Sequence, residues 1–169
     1  MIYDPQRHHR HSIRLRDYRY NTAGGYSVTI CTERKQMLFG HVDDGTMRLS
    51  KTGEAVEAVW LDLAARYPSI RLDQFALMPN HLHGIIFFSE NPLTSTERQP
   101  TLGTIIGAFK SLSARAIGQQ SGDKSCRMWQ RNYYEQIIRS EAMLNATRHY
   151  IENNPFHWPD DTENNPISL

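Results

Sequence analysis

Ser69 to Phe88 reads SIRLDQFALMPNHLHGIIFF. Two apolar, β-prone runs are separated only by Pro79-Asn80, a turn dipeptide, so Ser69 to Met78 is expected to return as His81 to Phe88 in a β-hairpin. A two-residue link joins antiparallel strands only, whereas parallel neighbours need a crossover of about a dozen residues or more. A doubly wound parallel sheet is therefore disfavoured.

The elements on either side complete the pattern. Upstream, YSVTICTE (Tyr26 to Glu33) alternates as a strand after the turn-prone TAGG. LFGHVDDGTMRLS (Leu38 to Ser50) reads as two short extended pieces around the turn Asp44-Gly45. From Lys51 to Arg66, Val56, Val59, Trp60 and Leu63 recur at helical spacing, and Pro68 follows. Downstream, Asn91 to Pro100 is a polar loop, and a helix over roughly Gly103 to Gln119 carries Ile105, Phe109, Leu112 and Ala116 on one stripe. A second loop, Ser121 to Cys126, leads to a short strand over Tyr133 to Arg139. A last helix starts at the N-cap Ser140 and ends before Pro155. The order strand, helix, strand, strand, helix, strand, helix predicts an α+β fold: a ferredoxin-like split βαβ domain, with an antiparallel sheet and helices packed on one face.

The length of 169 residues suits a single domain. Cys31 and Cys126 are in no paired spacing, so neither a disulfide framework nor a cysteine zinc site is expected. No apolar stretch approaches the roughly 20 residues that span a bilayer, and the first residues are arginine-rich where a signal peptide would be apolar. A soluble cytoplasmic protein is expected. The net charge of +1 hides an asymmetry. A basic arm over about residues 1–20 carries Arg7, Arg10, Arg14, Arg16 and Arg19 among histidines and tyrosines. An acidic tail over about residues 156–169 holds Asp160, Asp161 and Glu163. Such an arm can track a phosphate backbone and stack on bases, or be an ordinary solvated terminus.

Strand alternation puts His81 and His83 on one face with Ile85 and Phe87, and Leu82, Gly84 and Ile86 on the other. The two rings are then about 6–7 Å apart at their Cα atoms, near enough to converge on one ion. Alone, the pair reads more readily as a hydrogen-bonded strand end beside a spectator. Further along, in ATRHYIENNP, helical spacing aligns Thr147, Tyr150 and Asn154. A tyrosine can act as a nucleophile, although its pKa of about 10 means that it needs help in losing its proton, and an asparagine carbonyl can ligate a cation. Equally, Tyr150 reads as a core aromatic and Asn154 as a helix terminator before Pro155.

Together, MPNHLHGII, LGTIIGAFKS, WQRNYYEQIIRSE and RHYIENNP, in that order, resemble the single-tyrosine HUH transposases, in particular the REP-associated tyrosine transposase branch of the IS200-like superfamily. The resemblance covers nearly the whole chain. It implies a metal-dependent single-stranded DNA endonuclease and strand transferase, acting on hairpin or palindromic repeat DNA through a covalent 5′-phosphotyrosine. It also implies that Tyr150 is the nucleophile and that His81, His83 and Asn154 hold Mg²⁺ or Mn²⁺, where many relatives have glutamine at the last position. Arg14, Arg16, Lys110, Ser111, Arg115, Trp129 and Arg131 are candidates for DNA contact. Tyr133 and Tyr134 are rival tyrosines better read as packing or stacking residues. Related enzymes exchange catalytic helices within dimers, while the REP-associated branch can work as a monomer, so both a monomer and a homodimer stay open. Two other readings remain: a ferredoxin-like nucleic-acid-binding module that has lost cleavage, and a zinc hydrolase that does not use the tyrosine.

Overall fold

The computed structural model describes residues 24–89, 100–121, 127–161 and 164. The arginine arm, including Arg14 and Arg16, the polar loop before residue 100 and Cys126 lie outside them. Strand β1 is Gly24–Cys31, followed by a short 3₁₀ turn Glu33–Lys35 and the hairpin of β2 (Gly40–Asp43) and β3 (Thr46–Leu49). Helix α1 is Lys51–Arg66, β4 is Ile70–Leu77, β5 is His81–Phe88, α2 is Leu102–Ser121, β6 is Tyr134–Ile138 and α3 is Glu141–Asn153.

The four-stranded sheet has the order β4-β5-β1-β6, with every neighbouring pair antiparallel. Strands β1 and β4, joined through α1, are separated by β5; strands β5 and β6, joined through α2, are separated by β1. These are two interleaved split βαβ units, the ferredoxin-like arrangement that the sequence predicts. The hairpin that set the expectation is present, and Asp44 and Gly45, both at positive φ, close the separate β2–β3 ribbon.

Local chemistry fixes the helix starts. Ser50 Oγ accepts the amide of Gly53 at 3.1 Å at the head of α1 and donates to Leu38 O at 2.9 Å. Ser140 Oγ accepts from Met143 N at 3.2 Å and caps α3. Helix α1 buries Val56, Trp60 and Leu63. The stripe buried by α2 is Leu102, Ile105, Ile106, Phe109 and Ser113, while Leu112 is only half-buried. Ser113 can lie inside because its hydroxyl donates to Phe109 O and accepts the indole N–H of Trp129.

Helices α1 and α2 pack on the sheet face that bears Tyr26, Val28, Ile30, Leu82 and Ile86. The contact is closest at Gly84, where a Cβ would lie 2.4 Å from Cζ2 of Trp60. Gly84→Ala is therefore expected to lower the unfolding free energy by about 1–3 kcal/mol, as overpacking does, measured by urea denaturation; an unchanged midpoint would contradict this packing. Helix α3, outside the two βαβ units, lies across the opposite face, with Tyr150 against His83. That face holds the candidate site.

Candidate active site

His81 and His83 project from β5 to the same face, their ring centroids 4.4 Å apart. Both are buried. Each ring is oriented by a neighbour through Nδ1: His81 by Asn80 Oδ1 at 2.9 Å, and His83 by Thr29 Oγ1 at 2.8 Å. Thr29 is His83's partner across the β1–β5 ladder, so strand register brings the hydroxyl to the ring. The Asn80 amide is itself oriented, its Nδ2 donating to Lys35 O at 3.3 Å. Its oxygen therefore accepts from His81 Nδ1–H, and His81 Nε2 faces the site as an acceptor.

Asn154, at the C-cap of α3, is buried beside His81. Its Nδ2 donates to Asp161 Oδ2 at 3.0 Å. Among the described residues, neither His81 Nε2 nor Asn154 Oδ1 has a hydrogen-bond partner, although both are buried. Asn154 lies close enough to favour the charged form of His81, but burial dominates; with the neighbouring charges of His83 and Lys35 it holds His81 well below the usual imidazole range. His81 is thus a neutral ring with a lone pair turned inward.

A fourth donor comes from the acidic stretch that the sequence suggests is only a tail. After α3 the chain turns back through a 3₁₀ turn, Trp158–Asp160, whose indole lies tilted against His81, ring centroids 5.9 Å apart. Asp161 follows, and its carboxylate with the ring nitrogens of His81 and His83 forms a set of ligand atoms within 4.8 Å of one another. Two imidazoles, a carboxylate and an amide oxygen are a donor set that divalent cations accept, and the inward-facing acceptors of His81 and Asn154 fit such an ion.

Tyr150 stands at the rim. Its ring is 53% exposed and meets His83 edge-on at 5.3 Å. Helix α3 is held there by Arg148, two residues earlier, whose Nε and Nη2 reach the Asp73 carboxylate at 2.7 and 2.8 Å. Asp73 sits where β4 shifts register between Leu72 and Phe75, and it also accepts from Gln74 N and Arg71. Arg148 chiefly, with Gln74 and Arg71, holds the Asp73 carboxyl well below the usual carboxylate range against the opposing effect of burial. Because the folded pKa is depressed, this stabilisation is complete above about pH 4, the unfolded value, and is lost as the pH falls below it. In urea titrations the wild-type protein should be more stable than Asp73→Asn at pH 7, with the gap closing below about pH 4. A gap independent of pH would show that the pair does not anchor α3.

The remaining sequence candidates are not gathered here. Lys110 Nζ donates to the carbonyls of Gln130 and Asn132, each at 2.8 Å, and so ties α2 to the segment before β6. Trp129 is buried in the core between Phe39 and Phe109. Ser111 and Arg115 are exposed and hydrogen-bond each other on α2, and Arg131 is exposed. Of the rival tyrosines, Tyr133 is buried and Tyr134 is exposed on β6. Sequence reasoning missed Thr29, Asn80 and Asp161. Only Asn80 had a local signal, as the turn residue beside His81.

Comparison with known proteins places the fold and the family. The solved structure of a REP-associated tyrosine transposase bound to a REP hairpin superposes with a TM-score of 0.61 at 17% identity, covering 86% of this chain and 73% of that one. The shared fold is the ferredoxin-like class. Residues 25–154 match the model of the IS200-like transposases, and the chain belongs to that family. An uncharacterized protein of Haemophilus influenzae is 38% identical over 168 residues, covering 91% of this chain and 92% of its own. The family match ends at Asn154, so Asp161 lies beyond it. Among the described residues no helix is long and apolar enough to cross a membrane.

Proposed function

We propose that this transposase-family protein is a cation-dependent endonuclease and strand transferase of the REP-associated branch, acting on single-stranded or hairpin DNA through a covalent phosphotyrosine at Tyr150. The observation that carries the proposal is the half-exposed Tyr150 ring, set against His83 at the mouth of the buried histidine pair. His81, His83 and Asn154, joined by Asp161, would hold Mg²⁺ or Mn²⁺. When bound, such a cation draws charge off a non-bridging oxygen of the scissile phosphate.

The chain's own residues supply the rest. The Tyr150 phenolate oxygen attacks phosphorus, the P–O3′ bond breaks, and the 3′ oxygen leaves and takes up a proton. The 5′-phosphate stays on Tyr150, and the phenolic proton passes to solvent at the exposed ring. Because a phosphodiester replaces a phosphodiester, attack by a 3′-hydroxyl reverses the step without ATP. Asn80 and Thr29 hold the rings in orientation, and Trp158 packs beside His81. The exposed Ser111, Arg115 and Arg131, with Arg14 and Arg16 of the arm, supply phosphate contacts; Lys110 and Trp129 serve chiefly to brace the fold.

The test is a 3′-labelled hairpin oligonucleotide with Mn²⁺, examined on denaturing gels. A labelled band that migrates with the protein and resists SDS is expected. Two histidines with a carboxylate also suit a metal hydrolase, so strand cleavage with no protein-linked product would favour that second reading.

A further inference from the structure

The 3₁₀ turn Glu33–Lys35 adjoins the site and has no part in the chemistry above. Arg34 and Lys35 both have φ of 53°, in the left-handed region that glycine or asparagine occupies far more readily. Two successive basic residues in this conformation are strained, and such strain persists only where the surroundings over-determine it, which happens most at binding and catalytic sites. Here the surroundings do so. Thr32 is fully buried, its amide donating to Asn80 O at 2.8 Å and its hydroxyl to Gln36 O at 2.9 Å. Glu33 N donates to Met128 O at 2.8 Å, and Lys35 N to Thr32 O at 3.2 Å.

Asn80 connects this turn to the histidines. The same fully buried amide that accepts from His81 Nδ1 donates to Lys35 O. A single side chain therefore sets the lysine-bearing turn and the His81 ring relative to each other. A solvated charge run needs neither the left-handed pair nor the tie to a candidate ligand.

We infer that the Arg34-Lys35 turn is a phosphate-binding element of the site: Lys35 takes a non-bridging oxygen of a phosphodiester in the bound single strand, the exposed Arg34 takes a neighbouring one, and Asn80 positions the turn against His81. The inference rests on the single-stranded-DNA part of the function proposed above. It concerns binding and so is separable from cleavage.

The test measures affinity for a fluorescent hairpin with a single-stranded extension by anisotropy, over a salt series, in the full chain carrying Tyr150→Phe so that no strand is cut. Removing one phosphate contact from single-stranded DNA lowers the slope of log affinity against log salt by about 0.7. Lys35→Gly removes the charge and relieves the left-handed strain together. It should lower the slope by that amount and leave Tm no lower, while Lys35→Arg retains the slope. Arg34→Gly should act in the same sense as Lys35→Gly. An unchanged slope in Lys35→Gly, with or without a change in Tm, overturns the assignment, as does an absence of salt-sensitive binding by the unsubstituted turn. If binding responds as expected but Tyr150 forms no adduct in the wild-type protein, the phosphotyrosine reading fails and this assignment stands.

Discussion

Tyr150→Phe is expected to abolish the SDS-resistant DNA adduct and to lower strand cleavage by on the order of 10³-fold or more, the scale on which enzymes lose activity when a nucleophile is removed. The substitution deletes one oxygen from a half-exposed ring and leaves its edge-on contact with His83. Thermal stability and hairpin affinity should therefore match the wild type, so that lost chemistry is not confused with lost folding. Cleavage that survives in Tyr150→Phe would reject the covalent route, and an adduct that survives would move the nucleophile elsewhere. Tyr134, the exposed alternative, lies on β6 in register with Thr29, one strand further from the histidines, and Tyr134→Phe should retain the adduct.

The second large effect concerns the cation. A ligand that binds only the folded state stabilises it by about 2.7 kcal/mol at a concentration a hundred times its dissociation constant. Mn²⁺ should accordingly raise the Tm of the wild-type protein, and His81→Ala should remove that rise. His81 is the sharper choice because its Nε2 is buried with no partner among the described residues. In the absence of metal that atom is a liability, so the metal-free variant should lose less stability than truncating a fully bonded core residue would cost. Asp161→Asn separates the carboxylate from the histidines: a smaller Mn²⁺ shift identifies Asp161 as a ligand, and an unchanged shift assigns it to holding Asn154. If Mn²⁺ stabilises His81→Ala as much as the wild type, the histidine pair is not the cation site.

How far these features could be read beforehand follows from the range of the forces behind them. The hairpin around Pro79-Asn80, the Ser140 cap and the Asp44-Gly45 turn are decided by neighbours a few residues away, and the sequence predicts all of them; the Ser50 cap, equally local, goes unread. The histidine face follows from strand alternation, and the structure keeps it. The stripe of α2 is partly misread, because Ser113 is buried by a bond to Trp129 that periodicity does not encode. Lys110 looks like a surface cation in sequence, yet two carbonyls from the segment before β6 take up its charge. Thr29 reaches His83 only through the β1–β5 register, and Asp161 arrives only because the chain reverses after α3. An acidic residue in an acidic stretch gives no local sign of such a reversal.

The interleaving of the two βαβ units bears on how the protein is made. Strand β1, first of the sheet to leave the ribosome, sits between β5 and β6, and Gly25 pairs with Ile138. Contacts this distant in sequence close slowly, because the loop entropy is lost before any pairing is gained. His83 meets Thr29 only when β5 has been added, Tyr150 meets His83 only when α3 has formed, and Asp161 joins last. A nascent chain still short of β6 thus lacks one edge of the sheet, and one still short of Asp161 lacks the assembled centre.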